Sequence, residues 1–296
     1  MNSLPCVSVV VPCKNRARFL KSTLDSILAQ NYSNIECLVV DGGSQDETIR
    51  ILESYGSKIR WVSEPDRGQS DAINKGFRMS RGEIFTWLNA DDRWNTPDAV
   101  NYAAKFLSMH PEADVVYGDS FDTDANGNVI GKTYSRPWHL HDAVEYCDHC
   151  IPQPASFMRR EIFEKVGLLD EELKQLMDFD LWLRIGLVGK IEYLPLLLAY
   201  TAAQRGVTFT PGIADTCARI IQKFYLSPGI PPDLKKQKKR AISNAYLKGV
   251  QYGWLSNLGL FSMIKGTLLA FLHDLTNTPR IFNAARRFLK LQTSKN

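Results

Sequence analysis

Residues 7–30 read Val7-Ser-Val-Val-Val-Pro12-Cys-Lys-Asn15-Arg-Ala17-Arg-Phe-Leu-Lys-Ser-Thr-Leu-Asp-Ser-Ile-Leu-Ala-Gln30. The two halves of this stretch follow different periods. Val7–Val11 is a β-branched run, valine at every position but Ser8, as in a strand buried on both faces. From Ala17 onward apolar residues recur at Phe19, Leu20, Leu24, Ile27 and Leu28, the spacing of one helix face. A buried strand followed directly by an amphipathic helix is the repeating half of a parallel sheet covered on both sides. The alternation continues outward from it. Ile35–Val40, Ile59–Val62, Ile84–Leu88 and Val115–Tyr117 read as strands. Asp46–Ser54, Ser70–Met79 and Pro97–Met109 read as helices.

The pattern then loosens. Asp124-Ala-Asn-Gly-Asn128 is a hairpin signal. Pro137 to Pro154, rich in His, Cys, Asp and Pro, reads as an irregular loop. Arg160–Val166 and Asp178–Leu187 read as short helices, and Ile191–Ala199 as a strand. After Pro211 only helices are expected: Ile213–Leu226, Pro232–Tyr252, Leu258–Leu275 and Pro279–Leu291. This places a domain boundary near residue 210, with an α/β domain over 1–210 and a helical, basic region over 211–296 that either associates with a membrane surface or caps the fold.

Composition narrows the class. The chain has 296 residues, 44% hydrophobic and 23% charged, which excludes a disordered chain, a collagen and a coiled coil. The net charge of +4 hides an asymmetry. From Lys235 to the C-terminus there are twelve Lys and Arg and a single acid, Asp274. Such a tail suits an anionic partner, a membrane surface or a nucleic acid. The longest uncharged run after residue 248, Gly249–Ile264, is shorter than the roughly 20 apolar residues a spanning helix needs. It reads as interfacial or buried. Six cysteines without a framework suggest a reduced cytosolic protein, and the N-terminus shows no signal peptide.

Ligands of an open parallel sheet bind at the carboxyl ends of its strands. Here those ends are Pro12-Cys-Lys-Asn15-Arg16, Asp41-Gly-Gly-Ser44-Gln-Asp46, Glu64-Pro-Asp66-Arg67-Gly68 and Asn89-Ala-Asp91-Asp92. Adjacent carboxylates repel, and a divalent cation bridging them to diphosphate oxygens removes the conflict. The alternative is that Asp91 or Asp92 only caps the next helix. Asp41 suits a hydrogen-bonded base or ribose, or merely a turn. The first strand–helix turn lacks Gly-x-Gly-x-x-Gly, which argues against a nicotinamide or flavin dinucleotide. Asp178 opens a helix as a cap or, in a crevice, as a base for an acceptor hydroxyl. Cys147-Asp-His149-Cys150 matches no zinc spacing, and a loop lining a cleft is the better reading.

These motifs together resemble the inverting family 2 glycosyltransferases of GT-A fold. The matching stretches are Val7–Asn15, Ser26–Tyr32, Leu38–Asp46, Asp66–Gly76, Gly82–Asp92 and Met177–Arg184, covering about residues 5–200 in family order. The resemblance implies a Rossmann-like, mostly parallel sheet with helices on both faces, plus a C-terminal all-helical segment. It implies transfer of a sugar from a nucleoside diphosphate to a hydroxyl of a glycan or lipid-linked acceptor, in cell-surface polysaccharide synthesis. By position Asp41 faces the donor base, with Pro12, Asn15 and Arg67 nearby. Asn89 and Asp91 match the Asp-x-Asp element, Asn89 standing for the first Asp. Asp91, assisted by Asp92, would hold Mn²⁺ or Mg²⁺. Asp178 matches the general base, with Met177 in place of the family's Glu and Asp180 as the fallback. Gln153 and Trp182 are further cleft candidates. The implied donor is a UDP-sugar, with GDP- and dTDP-sugars as alternatives. The expected location is cytoplasmic, peripheral on the inner face of the cell membrane, with no nucleic-acid partner. Two other readings stand beside it: a nucleotidyltransferase on a similar sheet, and a catalytically inactive binding protein at the membrane surface.

Overall fold

A computed structural model describes residues 4–124, 126–133, 135–202, 212–255 and 260–274. The chain divides into two compact units. Unit one holds Met1–Trp138 and Cys150–Ala203, and unit two holds His139–His149 and Gln204–Asn296.

In unit one the alternation builds β1 (Val7–Cys13), α1 (Ala17–Leu28), β2 (Ile35–Asp41), α2 (Thr48–Ser54), β3 (Arg60–Ser63), α3 (Gln69–Met79), β4 (Ile84–Trp87), the short β5 (Arg93–Trp94) and α4 (Ala99–Met109). Then follow β6 (Val115–Thr123) and β7 (Val129–Thr133). The sheet order is β3-β2-β1-β4 on its parallel side. Val7 pairs with both Ile35 and Ile84, so β1 lies at the centre and the strand order reverses there. Every residue of β1 is buried, which is why its sequence, Ser8 apart, is apolar instead of alternating. Helix α3 lies close against β1. A Cβ on Gly76 would stand 2.4 Å from Val10 Cγ1, so a side chain there would push the helix off the sheet.

The remainder departs from the sequence expectation in instructive ways. Residues 137–154, read as irregular, contain helix α5 (Leu140–Tyr146), which belongs to unit two. It stops at Cys147, held in the left-handed region at φ 49°. Ser156–Arg159 forms β8, antiparallel to both β4 and β6. Four residues are too few to declare a period, so the pattern was silent there. After α6 (Ile162–Val166) and α7 (Met177–Val188), β9 (Ile191–Ala202) runs parallel to β6 and pairs with β5. The hairpin at 124–128 forms as expected between β6 and β7.

Unit two adds α8 (Ile213–Phe224), α9 (Pro232–Lys236), α10 (Lys238–Leu255) and α11 (Leu260–His273). The single helix expected over 232–252 is broken at Gln237. The segment 279–291 lies outside the described residues. Helices α8 and α10 cross in contact, because a Cβ on Gly249 would stand 2.0 Å from Ala214 Cα.

Candidate active site

The carboxyl ends of β1 and β2 are laced together by polar side chains. Asn15, at φ 51°, adopts the left-handed conformation that Asn tolerates better than most residues. Its Oδ1 accepts from the Gln45 amide at 2.8 Å, and its own amide donates to Ser44 Oγ at 2.7 Å. Asp41 sits at the centre of this turn, fully buried. Its Oδ2 accepts from the Gly43 and Ser44 amides at 3.0 and 2.9 Å and from Ser63 Oγ at 2.6 Å, and the Ser44 hydroxyl donates to Oδ1. Its carboxylate thus organises the turn, with three donors on Oδ2 and one on Oδ1. Gly42 beside it leaves room for the Asp66 carboxylate, which a Cβ would meet at 2.2 Å. Pro12, in the last turn of β1, is buried in register with Val40.

At the mouth of β4 the two adjacent acids have opposite surroundings. Asp92 is 2% exposed. Its Oδ1 accepts from the Ala202 amide and its Oδ2 from Asn89 Nδ2, both at 2.9 Å. That carboxyl braces the end of β4 against the end of β9. Burial, then the neighbouring Asp91 charge, pushes it up to about 8. Asp91 faces the β1–α1 turn, where Arg16 Nε lies 4.0 Å from its Oδ2. Asn89 is held in turn by Gln69 Nε2, which donates to its Oδ1 at 2.5 Å.

Gln69 opens α3, and the loop before that helix is tied to the segment before α7. Arg67 is exposed, pairing with Asp71 at 3.2 Å and with Glu171. Lys174 Nζ donates to the Arg67 carbonyl at 2.5 Å. The path Asn89–Gln69–Arg67–Lys174 thus joins the β4 mouth to the approach of α7.

Helix α7 carries the second pair of acids. Asp180 is 3% exposed, and Arg184 Nε donates to its Oδ2 at 2.8 Å. Arg184 also donates to the carbonyls of Val166, Gly167 and Leu168, so the fallback acid is committed to a structural clasp. Asp178 is half-buried in the first turn. The Phe179 amide donates to its Oδ1 at 2.9 Å, and burial raises its carboxyl above the ordinary range. One helical turn on, Trp182 stacks on Trp87, the last residue of β4, with ring centroids 6.4 Å apart and 14° between planes. Gln153 Nε2 donates to the Trp87 carbonyl at 2.7 Å. Trp182 Nε1 and Gln153 Oε1 are buried without hydrogen-bond partners among the described residues.

Asn89, Asp91 and Asp92 thus follow the end of β4, where Trp182 and Gln153 meet Trp87, and Asp178 lies one helical turn before Trp182 in α7, with Asn15, Asp41 and Arg67 on the turns after β1, β2 and β3. Arg16 and Gln69, which touch this cluster, had no role in the sequence reading. Only their positions at the ends of β1 and α3 could have flagged them. Among the described residues no three His, Cys, Asp or Glu form a group able to hold a metal by themselves.

Residues 8–167 match Glycosyl transferase family 2. An uncharacterized glycosyltransferase of Rickettsia prowazekii is 32% identical over 281 residues, covering 90% of this chain and 83% of the relative. Among solved structures, S. aureus TarS 1–349 in complex with UDP-GlcNAc has a TM-score of 0.67 at 19% identity, covering 95% of this chain and 92% of that one. The mannosyltransferase PcManGT from Pyrobaculum calidifontis, in complex with GDP-Man and Mn²⁺, has a TM-score of 0.63 at 20% identity, covering 96% and 81%. At those identities the structures speak for the fold, which is GT-A. With more than half of the chain inside the family match and a relative about one third identical along most of its length, this protein is a glycosyltransferase belonging to family 2.

Proposed function

We propose that the enzyme moves a sugar, with inversion, from a nucleoside diphosphate to a hydroxyl of a glycan or lipid-linked acceptor. The observation that carries this reading is the placement of Asp178 one helical turn from a tryptophan stacked on the strand that leads to Asp91. A diphosphate leaving group and an incoming hydroxyl must lie on opposite faces of the anomeric carbon. Two carboxylates of different character around one strand end suit those two tasks.

Asp178 is the general base. Burial raises its proton affinity, which brings it nearer to the hydroxyl proton it must take. Its position at the start of α7 and the Phe179 amide hold one oxygen, so the other is left to accept. Trp182 and Trp87 fix the helix that carries it. On the donor side, the turns after β1 and β2 supply backbone and side-chain donors for the nucleotide, with Asn15 and Arg67 at the rim. Asp41 acts there through the loop it holds.

A divalent cation fits this donor set in one form. Mg²⁺ and Mn²⁺ sites at substrate phosphates use one or two protein carboxylates and complete their shell from the phosphates and water. Asp91 is such a carboxylate. Asp92, buried with both oxygens engaged, supports it from behind. When bound, the cation would stabilise negative charge on the departing diphosphate. PcManGT with Mn²⁺ and TarS with UDP-GlcNAc support that choice of cation and of a UDP- or GDP-linked donor. UDP-sugars are the first candidates, and the acceptor is reached from the cytoplasmic side of a membrane.

The test is a thermal-shift screen over UDP-, GDP- and dTDP-sugars with and without Mn²⁺. A donor at about 100 times its Kd stabilises by about 2.7 kcal/mol. One nucleotide class should raise Tm, and Asp91→Asn should remove the Mn²⁺-dependent part. If no nucleotide sugar shifts Tm and none is turned over, the chain is an inactive member of its family.

A further inference from the structure

Helix α11 is built inside out. Its inward face is made of small residues, Gly266 and Ala270, one turn apart and buried. A Cβ on Gly266 would stand 2.5 Å from Val250 Cγ2 of α10, so the glycine lets the two helices approach closely. The large apolar residues point the other way. Ile264 is 50% exposed, Leu268 58%, Phe271 40% and Leu272 75%. At spacings of four, three and one they form a single stripe along the outer face. A helix made for water would carry these residues inward and polar ones outward.

The chain around this stripe has the opposite of a neutral character. Helix α11 runs antiparallel to α10, as His273 stacks on Tyr246 and Gly266 meets Val250. The end of α11 that carries Leu272 therefore points toward the start of α10. Lys235, Lys236, Lys238, Lys239 and Arg240 are all exposed there, in the turn of α9 and α10. Tyr246 and Arg240 are about 9 Å apart along the helix axis. No helix among the described residues is long and apolar enough to cross a membrane. An outward apolar stripe with cations at one end is the pattern of a helix lying in a headgroup layer.

We infer that α11 rests on an anionic lipid surface, its stripe dipping below the headgroups and the 235–240 cluster meeting lipid phosphates. This deepens the reading of a membrane-proximal acceptor. It stands on unit two alone, and its test reads binding without turnover, so the two can fail separately.

The full chain is sedimented with vesicles of phosphatidylglycerol and phosphatidylcholine in equal parts, and with phosphatidylcholine alone. The wild type should co-sediment with the anionic vesicles and lose binding as salt is raised. Leu268→Glu with Leu272→Glu should lower the partition coefficient about tenfold or more. Lys235→Glu with Lys239→Glu should abolish the preference for anionic vesicles. Circular dichroism and Tm should match the wild type for both variants, because all four side chains are exposed. Absence of vesicle binding overturns the inference. A dimer by light scattering that the double Leu variant dissolves assigns the stripe to a second copy and also overturns it. A fall in Tm for that variant without vesicle binding assigns the stripe to the chain's own residues 275–296, with the same consequence.

Discussion

The β4 mouth and the first turn of α7 each carry two acids close in sequence, and each divides them in the same way. Asp92 and Asp180 are buried, while Asp91 and Asp178 keep part of their surface exposed. The means differ. Asp180 is neutralised by Arg184 at 2.8 Å, whereas Asp92 is held by an amide N–H and an Asn side chain without a cation. Burial without a cation pushes a carboxyl up, and Asp92 shows this. What distinguishes the two buried acids from each other is thus the partner, not the spacing.

That contrast can be broken by substitution. The largest stability effect belongs to Asp180→Ala, which takes the carboxylate from the half-buried Arg184 and should cost about 3 kcal/mol in chemical denaturation. Asp92→Ala strands the Ala202 amide and the Asn89 side chain and should cost about 1–3 kcal/mol. Asp178→Asn should be neutral or stabilising near pH 7. The folded carboxyl has a raised pKa, so the stability it contributes is present at low pH and lost as pH rises through that value. Removing the charge removes that loss. Equal destabilisation by all three substitutions would erase the comparison.

The same raised pKa sharpens the comparison kinetically. Transfer requires Asp178 deprotonated, so kcat/KM should fall on the acid side at a pH above the ordinary carboxylate value of about 3.9. That limb should vanish from the residual activity of Asp178→Asn. The smallest effect is expected from Arg67→Ala. Its side chain is 74% exposed and its ion pairs are screened by solvent, so Tm should scarcely move.

The parallel half of the sheet was legible because β1, β2 and β4 are buried along most of their length, and burial writes itself as an apolar run. The reversal at β8 was not, since Ser156–Arg159 is short and Arg159 sends its guanidinium to the carbonyls of Ala113 and Leu107. Strand pairing of that kind is decided by distant partners. The chemistry of the crevice was legible to the level of residue type. Asp91, Asp92, Asp178 and Asp180 were visible as acids at strand and helix ends. Which of each pair is engaged inward depends on Ala202 and Arg184, one 110 residues away and one a helical turn on, and no local pattern encodes the former. Asp41 teaches a related lesson: its place at a strand end was legible, whereas its hydrogen bonds depend on Ser44 in the loop after β2 and on Ser63 at the end of β3.

The most direct test of the central claim separates donor binding from transfer in two variants. Titration of the responding nucleotide sugar with Mn²⁺ is measured alongside the rate of transfer for wild type, Asp91→Asn and Asp178→Asn. The account predicts that Asp178→Asn binds donor as the wild type does and transfers about 10²–10⁴-fold more slowly, while Asp91→Asn loses the Mn²⁺-dependent part of binding. Wild-type transfer by Asp178→Asn, or loss of donor binding in that variant with its fold intact, would contradict it.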